Sequence, residues 1–544
     1  MKRWIWLLII TPICSSAQRM NKADKKMMAD VKAHIYYLAD DKLEGRRTGT
    51  AGEKLAYEYI QDQFTKNGLE AKGDAGSYLQ AFEVNEGKQI DPSSYLIING
   101  KTLAPEKEYF PLTYSPNVSV EGQTSFTTQS NKSIWFVDLK NMIEENKGNP
   151  HFDIGDAIKK NANESADKGA IALIIYNSSK ADDGIKFEPK LKADASKIPV
   201  LYINKEYSDK NFNSNATFIV RMKVELGEKK RWGHNVVGYI NNNAANTVIL
   251  GAHFDHLGYG EDHNSLYAGS IPMIHNGADD NASGTAALIE LGKIMKRSKY
   301  KQNNYLFIAF SGEELGLYGS KYFTDHPTID LDKVDYMINM DMVGRLNDST
   351  HGLNIGGYGT SPSWSALMTE KDQRFKIKFD SSGTGPSDHT SFYRKNIPVL
   401  FFFTGVHSDY HKPSDDADKI NYAGEVQVIK YIYEIVGEAN EKDKLAFTKT
   451  RETISTGKSS FKVTLGIMPD YTFSGGGVRV DGVSEGKLAQ RTGIKPGDVL
   501  VQLGDHKFSD VQTYMEALGK FNKGDATKVK LKRGEQEMIF DIIF

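Results

Sequence analysis

The apolar positions between residues 231 and 440 follow two alternating spacings. Unbroken runs at Val248-Ile249-Leu250, Tyr305 to Phe310, Tyr336 to Met340 and Val399 to Phe403 read as buried strands. Between and after them the spacing becomes helical. Ser283 to Met295 sets Ala287, Leu288, Leu291 and Met295 on one side, and Val426, Ile429, Tyr433 and Val436 mark a closing helix. This alternation predicts an α/β domain with a mixed, largely parallel central sheet flanked by helices. Its N-terminal part, residues 18–110, opens on a helical pattern. It ends in strand-like pieces, with Ile97-Ile98 entering a tight turn at Asn99-Gly100. Residues 111–230 are richer in strand and turn signals, with apolar runs at Ile134 to Val137, Ala170 to Tyr176 and Ile198 to Ile203. Residues 441–460 are charged and weakly patterned and read as a linker. Residues 461–544 form a last unit with turns at Gly475-Gly476-Gly477 and Lys495-Pro496-Gly497-Asp498.

A chain of 544 residues with 39% hydrophobic and 25% charged residues fits a globular protein of several domains. Its formal net charge of -2 gives no case for nucleic acid or an anionic membrane. The N-terminus reads as a signal peptide over residues 1–17. Lys2 and Arg3 precede the apolar stretch Trp4 to Ile13, and Ser15-Ser16-Ala17 offers a cleavage site. That stretch is far shorter than the ~20 residues of a membrane span, so no transmembrane segment is expected in the mature chain. The expected destination is the periplasm or the extracellular space. Cys14, the single cysteine, lies inside this leader. Thr11-Pro12-Ile13 lacks the small residue that precedes a lipid-attachment cysteine, so lipoprotein anchoring is not expected. With Cys14 removed, a transition metal must be held by His, Asp and Glu.

Five short segments supply such ligands: His253 in GAHFD, Asp280 in GADDNASG, Glu314 in SGEE, Asp341 in NMDM and His411 in DYHKPSD. Four follow the predicted strands, where ligands of open α/β sheets gather, and Asp280 precedes a helix. Each alone is weak, since an Asp before a helix is often a cap and SGEE also reads as an acidic first turn of a helix running through Leu317 and Phe323. Together they offer two imidazoles and three carboxylates, with Glu313 spare beside Glu314. That set suits two zinc ions, with manganese or cobalt as alternatives. Two metals about 3.5–4 Å apart can share a bridging carboxylate. Asp255, two residues after His253, returns to the same strand face and is placed to accept the other imidazole N–H.

GAHFD, GADDNASG, SGEELGLYGS, NMDMVG and DYHKPSDD resemble the co-catalytic zinc aminopeptidases of bacteria. Their wider family also holds glutamate carboxypeptidases, glutaminyl cyclases and the transferrin receptor. LADDKLEGRRTGTAGEKLAYEYI resembles the family's N-terminal helix and its approach. The resemblance implies that Asp280 bridges two metals, His253 and Asp341 hold one, and Glu314 and His411 hold the other. It implies Glu313 as general base and then acid, and Tyr410 as a hydrogen-bond donor to the developing oxyanion. The implied activity is that of a secreted dinuclear zinc aminopeptidase acting on peptide substrates through metal-activated water. A carboxypeptidase or dipeptidase is the alternative on this scaffold. A glutaminyl cyclase or a non-catalytic binding protein stands further off. Asp388-His389 in GPSDHTSF lies in a segment that often borders the substrate pocket, while His256, His263 and His275 read as loop residues.

Two further resemblances concern the other regions. ADKGAIALIIYNSS and IPVLYINK make residues 111–230 similar to a protease-associated insert. TLGIMPD, VDGVSEGKLAQRTGIKPGDVLVQLGD and TYMEAL make residues 461–544 similar to a PDZ domain. Such a domain implies a peptide or a protein C-terminus as partner, with Leu465, Gly466 and Ile467 forming the loop that meets it.

Overall fold

The structure is a computed structural model that describes residues 20–146, 152, 154–181, 183–189, 191, 194–212, 217–262, 264–368, 372–450, 463–469, 476–483, 487–508, 511–534 and 536–544. The leader with Cys14, His263 and residues 451–460 lie outside them. The chain divides into two compact units. One holds residues up to Gln80 together with His234–Ile454, and the other holds Ala81–Gly233 together with Ser455–Phe544.

The first unit is built on a mixed sheet. Its strands run in the order Glu70–Ala71, Leu226–Ile240, Asn303–Phe310, Asn246–His253, Val334–Met340, Val399–Phe403, Gly352–Gly356 and Lys376–Phe379. The central strands Asn303–Phe310, Asn246–His253, Val334–Met340 and Val399–Phe403 pair in parallel. Leu226–Ile240 and Gly352–Gly356 join this parallel block antiparallel. The unbroken apolar runs have a direct cause. Tyr305, Phe307 and Ala309 enter one core cluster and Leu306, Ile308 and Phe310 the opposite one, so both sheet faces are covered. Burying each large side chain contributes about 1.5–3 kcal/mol.

The flanking helices start where the sequence supplies caps. Asn21 accepts from Asp24 N at Lys22–Leu38, and Asn421 accepts from Gly424 N at Tyr422–Ala439. The helix Gly284–Lys296 is buried along most of its length against the sheet. The SGEE segment is not a first helical turn. Residues 311–317 form a turn, and the helix begins only at Tyr318. Residues 445–450 do not behave as a linker either. Leu445 is buried and its N–H donates to Asp335 Oδ1 at 2.7 Å, while Thr448 N donates to Thr360 O.

In the second unit the hairpin expected at Asn99-Gly100 forms. Both residues have positive φ, and Ile98 pairs with Lys101. Its first strand, Tyr95–Ile98, pairs with Thr217–Val224. This pairing ties residues 95–103 to the strands of residues 118–125 and 217–224. The insert also carries a parallel set, Ser133–Asp138, Ala170–Tyr176 and Val200–Ile203, with the helix Ile154–Asp167 as a crossover. The C-terminal part pairs Val499–Leu503, Ala526–Arg533 and Gln536–Ile543 antiparallel around Leu500, Leu503, Val529 and Leu531.

Candidate metal centre

The parallel strands end together, and that is what assembles the site. His253 closes Asn246–His253, and Asp341 follows Val334–Met340 directly. Asp280 arrives on the turn Ala278–Ser283, where Asp280 and Asn281 leave helical geometry. Two glycines make this turn fit. At Gly277, with φ of 54°, a Cβ would lie 2.1 Å from Asp280 O, and at Gly284 it would lie 2.5 Å from Met340 O. Asn281 fastens the turn to the Asp341 loop. Its amide donates to Met340 O at 3.0 Å, and its oxygen accepts from Met342 N at 3.1 Å. Asp415 Oδ2 accepts from the backbone N–H of Asp279 and Asp280 at 2.9 and 3.1 Å.

The two oxygens of Asp280 face different histidines. Oδ1 lies 3.4 Å from His253 Nε2, and Oδ2 lies 3.2 Å from His411 Nε2. His253 Nε2 is also 3.4 Å from Asp341 Oδ1, and His411 Nε2 is 3.2 Å from Glu314 Oε2. Two ligands about 2.1 Å from a tetrahedral zinc ion sit about 3.4 Å apart, so these separations match donors converging on ions between them. The residues present therefore fit divalent metals. His253, Asp280 and Asp341 offer ligand atoms within 4.8 Å of one another, and so do His256, Asp280 and Glu314.

The electrostatics divide the carboxylates. Burial raises Asp280, but the bonds from His253 and His411 outweigh it and hold Asp280 well below the usual range. Burial likewise raises Glu314, but His411 draws it down to about 2. Glu313 goes the other way. Burial, with Glu314, Asp341 and Asp388 nearby, pushes it well above the usual range despite His253. Burial alone would lower His253 and His411, yet Asp341 and Glu313 raise the first and Glu314 and Asp280 the second. Neighbouring glutamates with opposite tendencies suit different tasks.

A network behind the ligands holds them. Asp255 Oδ1 lies 3.6 Å from His253 Nδ1 and accepts from Glu313 N at 3.2 Å. Its Oδ2 accepts from Thr48 Oγ1 at 3.0 Å. Glu53 accepts from Ser311 Oγ at 2.6 Å and from the backbone N–H of Gly49 and His234. Arg46 is fully buried and donates to four backbone carbonyls, those of Leu38, Phe254, Asn276 and Gly277. These contacts tie the LEGRRTG segment to the chain just after His253 and to the approach to Asp280. None of Arg46, Thr48 or Glu53 shows a strand or helix pattern that would have singled it out.

Other residues land as follows. Tyr410 stacks on His411 with ring centroids 3.9 Å apart. His256 is not a loop bystander, since its buried Nδ1 meets Glu314 Oε1 at 2.8 Å. The HFDH spacing was the available signal. His275 is buried rather than solvated. Burial pushes Asp388 up to about 7, whereas His389 stacks on Phe401 in the core. Leu465 is fully buried, Gly466 N already donates to Thr464 Oγ1, and Ile467 starts the strand Ile467–Pro469.

A sheet whose strand ends converge on this donor set, with a spare glutamate beside it, defines a metal-dependent hydrolase of the exopeptidase class. Residues 235–436 match the profile of peptidase family M28, and residues 447–543 match that of a PDZ domain. Residues 235–436 are thus a peptidase family M28 domain, followed by a C-terminal PDZ domain. Aminopeptidase YwaD of Bacillus subtilis is 26% identical over 457 residues, which cover 80% of this chain and 90% of that one. Leucine aminopeptidase 2 of Trichophyton equinum is 27% identical over 45% of this chain and 48% of its own. Among solved structures, an aminopeptidase from Aneurinibacillus sp. strain AM-1 is 24% identical, with a TM-score of 0.41 over 79% of this chain and 98% of its own. No helix among the described residues is long and apolar enough to cross a membrane.

Proposed function

We propose that the protein is an exported dinuclear zinc aminopeptidase that removes N-terminal residues from peptides. The observation that carries this reading is the Asp280 carboxylate, whose two oxygens point at His253 and His411 separately. His253 and Asp341 would hold one ion, Glu314 and His411 would hold the other, and Asp280 would contribute to both. When bound, the ions lower the pKa of water toward neutrality and polarise the scissile carbonyl. Glu313 takes a proton from the attacking water and delivers it to the leaving amine. Its carboxylate lies 4.0 Å from His253 Nε2, beside the ligands, with its backbone fixed on Asp255. Tyr410, stacked on His411, donates to the carbonyl oxygen as it gains charge. The relatives named aminopeptidases support release of the N-terminal residue. The leader sequence supports export, and the PDZ domain supports contact with an extended peptide or a protein C-terminus.

The test is cleavage of matched peptides with free and acetylated N-termini, together with metal analysis of the same sample. The reading expects cleavage of the free peptides only and two zinc ions per chain. Equal cleavage of both peptides rejects aminopeptidase action, and one ion at saturation rejects the dinuclear centre.

A further inference from the structure

The hydrolytic reading makes no use of the chain between Leu257 and Asn276. Its contacts fall on one half of the metal centre. The carbonyl of Asn264 accepts from His411 Nδ1 at 2.9 Å, which leaves Nε2 bare toward Asp280 and Glu314. The side-chain amide of Asn264 donates to the carbonyl of Glu314 at 3.1 Å. Leu266 N donates to the carbonyl of His411 at 2.9 Å. A local pin holds these residues in place: buried His275 donates from Nδ1 to Met273 O at 2.9 Å, and its Nε2 accepts from Ser265 Oγ at 2.7 Å.

The other half is held differently. His253 Nδ1 lies 3.2 Å from the carbonyl of Asp255, whose side chain is bonded to Thr48. Among the described residues, no hydrogen bond of His253 or Asp341 comes from Asn264, Ser265 or Leu266. We infer that Asn264 to Leu266, pinned by His275, is a clamp for a single metal position, that of Glu314 and His411. Asn264 is its positioning residue, and the support of this position is separate from that of the position assigned to His253 and Asp341, with Asp280 common to both. The inference rests on the dinuclear reading. Groups that orient a ligand change metal affinity by about 10–100-fold, so separate supports give separately tunable positions.

The experiment is calorimetric titration of the metal-free full chain with zinc, and absorption titration with cobalt. It compares wild type, Asn264→Ala and Thr48→Val. In Asn264→Ala one ion should bind as in wild type and the other about 10–100-fold more weakly. The spectrum of its singly loaded cobalt form should match that of His411→Ala and not that of His253→Ala. Thr48→Val should weaken the opposite position. Ser265→Ala leaves Asn264 in place and removes the pin. It should show the selectivity of Asn264→Ala, and it decides the matter if Asn264→Ala does not fold. Equal weakening of both positions, no weakening, or the His253→Ala spectrum in Asn264→Ala overturns the clamp alone. A wild type that takes one ion overturns the dinuclear reading and the clamp with it.

Discussion

The backbone N–H of Glu313 donates to Asp255 Oδ1 at 3.2 Å. This bond joins the strand end that carries His253 to the turn that carries the spare glutamate. Asp255 also lies 3.6 Å from His253 Nδ1 and accepts from Thr48, so one buried carboxylate ties the Glu313 turn to the surroundings of His253. Asp255→Asn keeps the volume but places an amide donor where two donors already point. We expect kcat to fall by about 10–100-fold with little change in KM, together with weaker zinc retention. Steady-state kinetics at saturating zinc check this, and an unchanged kcat removes Asp255 from the positioning network.

Glu313 and Glu314 give the sharpest separation of roles. Glu314 is anionic beside His411, whereas Glu313 is raised by burial and by neighbouring carboxylates. Glu313→Gln should keep both metals and lose about 10²–10⁴-fold in kcat, the usual contribution of a positioned acid or base. Glu314→Gln should instead lose metal. Metal analysis and turnover on the same preparations distinguish the two, and near-native turnover in Glu313→Gln sinks the general-base assignment.

The sequence pattern located the strands because both sheet faces are covered, which makes the core strands unbroken apolar runs. It located the five ligand segments because they sit at strand ends and at a helix start. What it missed belongs to loops. Arg46, Thr48 and Asn264 act through hydrogen bonds to backbone or side-chain atoms distant in sequence, and no periodicity announces such partners. His256 reads from the sequence as a loop residue, yet the structure brings its ring onto Glu314. The partner of the 95–103 hairpin is not legible for a related reason. The hairpin at 95–103 is local and visible, but its partner strand lies more than a hundred residues later.

Arg46 shows how much weight one such partner carries. A buried guanidinium with four carbonyl acceptors has no substitute of equal reach, because lysine offers a single donor centre. Arg46→Lys should lower stability by about 2–4 kcal/mol, from one or two lost bonds to a charged donor and the carbonyls left unpaired. It should also weaken metal retention, since Phe254 and Gly277 flank the ligands. Urea denaturation of metal-free and zinc-loaded protein measures both effects. A loss below about 0.5 kcal/mol, the level of an ordinary surface change, contradicts the assigned role.

Stripping the metals should destabilise the first unit. Asp280, Glu314 and Asp341 then share a small buried volume with His253, His256 and His411. Zinc binding to the folded state should raise the melting temperature, and the rise should grow with free zinc concentration. Differential scanning calorimetry with buffered zinc tests this. A melting temperature indifferent to zinc means that the donor set does not bind it in the folded chain.

Asp335 provides a pH test away from the metal centre. It is almost fully buried, its Oδ1 accepts from Leu445 N at 2.7 Å, and burial pushes its carboxyl up to about 6 against that bond and the pull of Lys444. An acid whose folded pKa is raised binds more protons folded than unfolded between its ordinary pKa of 3.8 and about 6. Stability is therefore highest below that window and falls as pH rises through it, by about 3 kcal/mol at most. Asp335→Asn keeps the acceptor for Leu445 and cannot ionise. The variant should match wild type near pH 4 and exceed it by about 1–3 kcal/mol at pH 7, with the difference opening between the two. Denaturation midpoints of both proteins across that range measure the gap. Parallel curves, or a gap that closes as pH rises, show that Asp335 is not the buried acid responsible.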